Sequence, residues 1–167
     1  MRIVTNTDKK DEKFLRRKTV PFDFKVYGKK EINTLVQEMR RSMHEADGIG
    51  LSANQVGLNV RVFVAQVPDQ NGNMKFYAIF NPELSNISKE LVSYEEGCLS
   101  VPLTFGSVQR PEKLTLTGYD KNGKKIKIKA WGLLARVFQH EMDHLDGNLF
   151  IDRTKQTYKI EKVTSNK

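Results

Sequence analysis

The chain has a single cysteine, Cys98, among 167 residues, so no disulfide can form within it. It has only three histidines, which leaves few ways to build a histidine metal site. No apolar run approaches the roughly 18–20 residues that cross a bilayer as a helix, so no membrane partner is expected. The opening stretch MRIVTNTDKKDEKF lacks the apolar core of a secretory signal and carries acidic residues that transit peptides avoid, which points to a cytoplasmic protein. No strand–glycine loop–helix unit occurs, leaving nucleotide binding of the Rossmann or P-loop kind without support. Internal repeats and low-complexity linkers are also missing.

What is present suits one folded domain over residues 1–167, long enough to bury a core of its own. With 38% hydrophobic and 29% charged residues, the composition excludes intrinsic disorder. The 28 basic against 20 acidic residues give a net charge of +8, which would draw the surface toward polyanions such as a ribosome. No basic block is interleaved with aromatics as base stacking requires, so the charge is read as a solvated surface and no specific nucleic acid is expected.

The first twenty residues are highly charged and run into the turn-like TVPFDF. In KEINTLVQEMRRSMHEADG, Ile32, Leu35, Val36, Met39 and Met43 recur at helical spacing, with Gly48 as a plausible stop. His44 on this helix has no nearby histidine or cysteine and reads as a surface residue. GIGLSANQVG is a glycine-punctuated loop. VRVFVAQV and KFYAIF read as strands around the turn-rich PDQNGN. Residues 81–113 read as mostly irregular. LTLTGYD and KKIKIKAW flank an Asn-Gly hairpin turn, and a second helix spans about Leu133 to Leu145. After Phe150 comes a short polar tail. Helix, antiparallel strands, then helix predicts an α+β fold.

The chemistry concentrates in QHEMDHLDGNLF, Gln139 to Phe150. On a helix, His140 and His144 point the same way one turn apart and can grip one cation, with Glu141 beside them as a candidate base. Two histidines bordering an apolar face could merely hydrogen-bond, but an imidazole–carboxylate–imidazole set against an apolar wall favours a metal. The stretch matches the start of the HExxHxxGxxH protease signature, yet Phe150 stands where a third histidine is needed. The only downstream glutamate is Glu161, in the polar tail. Upstream, Cys98 in YEEGCLSVP is the best third ligand, since a thiolate and two imidazoles leave a fourth position open.

Three segments together, GIGLSANQ (48–55), EGCLS (96–100) and QHEMDHL (139–145), resemble peptide deformylase in order and separation. The resemblance implies a compact single α+β domain with antiparallel β-sheets around a central metal-binding helix. It implies Cys98, His140 and His144 as ligands of one divalent metal ion, in that family typically Fe(II), with zinc, nickel or cobalt as alternatives. Metal-activated water would attack the formyl carbon of an N-formyl-methionyl nascent polypeptide and release formate. Glu141 would be the general acid–base group, with the Gln55 amide and the Leu99 N–H as oxyanion hole. Ile49, Leu133 and Val137 would wall the methionine pocket, with Gly50 and Gly97 also lining the substrate.

Two positions depart from that family's pattern. Ser52 stands where alanine is common, and Phe105 where many members have a peptide-contacting arginine, so the peptide is held differently, with Arg110 a candidate to help. Arg136 reads as a long stem along the helix with a solvated head. The short tail argues against a long docking helix, leaving the basic surface as the basis for transient ribosome association. A metallopeptidase and a basic nucleic-acid or ribosome-binding domain are the competing functions.

Overall fold

The structure, a computed structural model, describes residues 1–161. The expected helix is α2, Lys29–Glu45, with Ile32, Val36, Met39 and Met43 buried. It ends through Asp47, which adopts the left-handed conformation at φ 55°, and not at Gly48. The bond from Gly48 N–H to the Met43 carbonyl closes the last turn. A short helix not expected from sequence, α1 (Lys9–Leu15), precedes it. The Asp8 carboxylate caps α1 by accepting from the amides of Lys10 and Asp11, at 2.9 and 3.1 Å. Only Leu15 of α1 is buried, so no apolar period announces it.

Strands β1 (Gly50–Ser52), β2 (Val62–Pro68), β3 (Met74–Ser85), β6 (Lys113–Tyr119) and β7 (Lys125–Trp131) form one antiparallel sheet in the order β1-β2-β3-β6-β7. Alternation along β2 explains its apolar run: Phe63, Ala65 and Val67 join one buried cluster, Val62 and Val64 another. The first cluster packs under α3 (Gly132–Leu145) through Ala135, Phe138, Met142 and Leu145. The second packs under α2. The loop GIGLSANQVG is therefore more regular than expected, comprising β1 and a 3-10 turn, Ala53–Val56.

The main departure from the sequence reading lies between residues 81 and 113. Instead of irregular chain, β4 (Leu91–Cys98) and β5 (Val101–Pro111) form a hairpin, joined by β8 (Thr157–Lys159) in a three-stranded sheet. The hairpin gave no apolar alternation because the inward side chains include Glu96, Thr104 and Arg110, buried polar groups where a sheet ordinarily places aliphatics. The polar tail thus contributes a strand, while its residues 162–167 lie outside the described region. The α+β architecture is as expected, with α3 packed against strands of both sheets.

Gly147 releases the chain from α3. It sits at φ 80°, donates to the His144 carbonyl, and a Cβ there would press on the Arg16 carbonyl. Gly147→Ala is expected to destabilise the protein by about 1–3 kcal/mol, read as a lower urea midpoint at unchanged slope. An unaltered midpoint would show that neither the dihedral nor the Arg16 contact constrains this turn.

Candidate metal centre

α3 carries His140 and His144 one turn apart, with their ring centroids 4.9 Å from each other. Their Nε2 atoms face each other at 3.3 Å, and Cys98 Sγ lies 3.1 Å from His144 Nε2. All three ligand atoms fall within 4.8 Å of one another. The hairpin makes this possible. Its tight turn at Leu99 and Ser100 presents Cys98 at the end of β4 to the face of α3. The third histidine, His44, stays exposed and bonds Gln66 at 3.0 Å, away from this group.

Glu96 orients the nearer imidazole. Its carboxylate accepts from His140 Nδ1 at 3.0 Å, which places the ring proton there and turns the Nε2 lone pair toward Cys98 and His144. The same carboxylate receives Arg110 through two bonds, at 2.6 and 2.8 Å, and Arg136 at 2.7 Å. Arg110 continues to Asp143 at 2.8 Å, and Asp143 receives Arg153. Two readings of the sequence are corrected here. Arg136 does not hold a solvated head: it is 9% exposed and donates to the Val108 and Val92 carbonyls as well as to Glu96. Arg110 is not at hand for a peptide, being 4% exposed and committed to Glu96 and Asp143. Neither could be placed from sequence, since Arg110 itself and the Glu96 that both bind lie on the hairpin that was read as irregular.

Burial would raise the Glu96 carboxyl, yet the hydrogen bonds from Arg110 and His140 hold it well below the carboxylate range. His140 rises well above its usual value. Burial opposes that rise, but bonds to Cys98 and Glu96 outweigh it. His144 falls well below, through burial and then the charge of His140. Two nitrogens in contact are thus driven in opposite directions, His140 by its bonds to Cys98 and Glu96 and His144 by burial and the charge of His140. A cation placed among the two nitrogens and the sulfur relieves that conflict. A thiolate with two imidazoles is the donor set of a borderline divalent metal with one position left open, so the residues fit such an ion.

Glu141 is 2% exposed, and burial lifts its carboxyl to about 7. Ser52 donates to its Oε2 at 2.7 Å, while on the other side Gly50 leaves room for Oε1 that any Cβ would fill. The serine is therefore more than a tolerated small residue, a contact that sequence reasoning missed. Gln55 is held by the Ser52 amide, which donates to its Oε1 at 2.9 Å. That turns Nε2 toward Ser100 Oγ at 3.1 Å and Cys98 Sγ at 3.7 Å.

These groups border a cavity of about 620 Å³. Ile49, Leu133 and Val137 form its apolar side, and Gln55, Leu99 and Glu141 lie with His140 and Cys98 along the reacting side. Gly50 and Gly97 line it too, and Phe105 lies over Gly97. His144 sits beneath, 1% exposed. The structure therefore gathers all the site residues expected from sequence and adds Glu96, which had not been singled out. Its signal was weak: a glutamate before Gly-Cys has meaning only once Arg110 and His140 are known to surround it.

Residues 1–159 match the family described as polypeptide deformylase. A relative named peptide deformylase 2, from Gloeobacter violaceus, is 45% identical over 125 residues, covering 75% of this chain and 67% of its own. Among solved structures, a probable peptide deformylase from Synechococcus phage S-SSM7 superposes with a TM-score of 0.82 at 40% identity, over 92% of this chain and 99% of that one. A class I type b peptide deformylase from Acinetobacter baumannii, solved with Met-Ala-Ser bound, gives 0.83 at 29% identity, over 92% and 98%.

Glu96→Gln leaves two buried guanidinium groups short of charge. It is expected to cost about 3–5 kcal/mol of stability and to weaken metal binding about 10–100-fold, read by urea melts and chelator competition. The raised His140 pKa means that metal entry displaces a proton from its ring, so metal affinity should fall as the pH falls. A pH-independent affinity would contradict that proton displacement.

Proposed function

The chain belongs to the polypeptide deformylase family, whose members remove the N-formyl group from nascent polypeptides, and we propose the residues and steps by which it does so. The observation that carries this reading is the convergence of Cys98, His140 and His144 beside a buried glutamate, at the floor of a half-apolar cavity. Cys98, His140 and His144 hold one divalent ion. Fe(II) is the proposed occupant, with zinc, nickel and cobalt acceptable to the same donors.

Such an ion supplies Lewis acidity, lowering the pKa of water and drawing charge from a carbonyl oxygen. The protein does the rest. The apolar side formed by Ile49, Leu133 and Val137 receives the methionine side chain, and the backbones of Gly50 and Gly97 line the peptide's path, their missing side chains giving room to the Glu141 carboxylate and the Phe105 ring. Glu141, with its carboxyl near 7, takes a proton from the attacking water and returns it to the departing amine. Ser52 keeps that carboxylate aimed during both transfers. As the formyl carbon becomes tetrahedral, Gln55 Nε2 and the Leu99 N–H receive the negative oxygen, one such donor being worth about 3–4 kcal/mol. Formate and the free amino terminus are the products.

The substrate is an N-formyl-methionyl nascent chain, a reading supported by the Met-Ala-Ser peptide in the Acinetobacter relative. The compartment is the cytoplasm, and among the described residues no helix is long and apolar enough to cross a membrane. The net charge of +8 supports transient, salt-sensitive attraction to ribosomes. A metallopeptidase of the three-histidine kind is disfavoured because Phe150, at the third-ligand position, is 1% exposed and stacks 6.4 Å from the His140 ring.

With metal-loaded protein and a formyl-Met tripeptide, formate and not cleaved peptide is the expected product. Glu141→Ala should retain metal and lose at least about 100-fold in kcat, the scale of general acid–base catalysis. Cys98→Ser should lower metal content together with turnover. Full activity in either variant would remove that residue from its assigned role.

A further inference from the structure

The geometry points to Tyr158, on the terminal strand β8, as a positioning residue for the outer wall of the cavity. We propose that it steadies Phe105 and Glu95 against the part of the substrate downstream of the formyl-methionine. The inference rests on the deformylase reading above, and concerns how peptide length is sensed.

Three strands place three residues in one cross-strand row: Gly97 pairs with Phe105, and Phe105 pairs with Tyr158. Gly97 has no side chain, and the Phe105 ring occupies the space that a Cβ would need. From the other side Tyr158 stacks on that ring, with centroids 6.1 Å apart and planes 28° from parallel. Its hydroxyl donates to the carboxylate of Glu95, two residues along β4 from Gly97. Phe105, Glu95 and Gly97 line the cavity, whereas Tyr158 does not. Tyr158 therefore touches the wall from behind and acts on substrate only through what it holds.

The seat of β8 is built for this approach. Gly106 leaves space where a Cβ would crowd the Gln156 carbonyl, and Ile160 N–H donates to the Leu103 carbonyl at 2.9 Å. Yet all three residues of β8 are exposed, so the strand adds nothing to the buried clusters. A strand that buries no side chain but grips two cavity-lining ones is placed to order the wall. Unbraced, Phe105 regains rotamer freedom and the exposed Glu95 side chain loses its fixed position. Because neighbouring strands are about 4.8 Å apart, Phe105 stands one strand beyond the Gly97–Cys98 edge of the reacting centre. A substrate that ends at methionine stops short of it; a longer peptide runs along it.

The test compares two substrates on the full-length, metal-loaded protein: formyl-methionine amide and formyl-Met-Ala-Ser. Tyr158→Ala should raise KM for the tripeptide about three- to tenfold, the range of one aromatic pair, with kcat and metal content unchanged. The amide should show no such rise. Tyr158→Phe keeps the stack and should restore most of the tripeptide KM. Equal effects on both substrates, or none on the tripeptide, would overturn the brace while leaving deformylation intact. If the unsubstituted protein releases formate from neither substrate, the deformylase reading fails instead. Calorimetry with Met-Ala-Ser then decides the brace separately: weaker binding to Tyr158→Ala supports it, and equal binding rejects it.

Discussion

A single carboxylate, Glu96, shared among two guanidinium groups and an imidazole, couples the two halves of this site. Arg136 and His140 come from α3, while Glu96 and Arg110 come from the β4–β5 hairpin. The carboxylate therefore fixes the hairpin to the helix and the His140 ring to its working tautomer in one arrangement. All of its partners are at most 14% exposed at the side chain, so a missing partner would strand an unmatched charge away from water. Replacing the network by aliphatics could preserve the fold, but it would release the imidazole that the metal centre needs aimed.

Glu96 and Glu141 show how one chemical group is driven to opposite ends by its surroundings. Both are buried. Glu96 meets cations and stays ionised, whereas Glu141 meets a hydroxyl and a glycine backbone, and desolvation lifts it to about 7. The first is suited to permanent structural charge and the second to proton exchange. The two roles depend on what each carboxylate faces. Glu96 faces the arginines, and Glu141 faces β1, where Ser52 and Gly50 frame it.

The fold supports this by placing reacting groups on rigid elements. α3 lies between strands of both sheets, one face filling the five-stranded sheet with Phe138, Met142 and Leu145 while the other carries the histidines. Gln55 is locked by the Ser52 amide in the adjoining 3-10 turn. The cavity lies between the hairpin, the Ile49–Gly50 segment and the face of α3 that carries His140. The outer wall, by contrast, depends on an edge strand with no buried side chain of its own.

Long periodic elements and spaced ligands were legible directly. The α2 stripe, the apolar β2 run and the His140–His144 pair each express a local pattern that is visible in the order of residues alone. Cys98 was the expected third ligand because the chain holds one cysteine and few other candidates, and the structure sets it beside both imidazoles. What the order of residues could not disclose was who faces whom. The hairpin passed for irregular chain because its inward positions are charged, and Arg136 passed for a surface residue because its partner is 40 positions away. Ion pairing obeys distance in space, which only the packing of the hairpin on α3 sets. Local pattern therefore determined the two long helices, four of the eight strands and the histidine pair, while tertiary structure decided which buried charges neutralise one another and which carboxylate stays apart from the arginines.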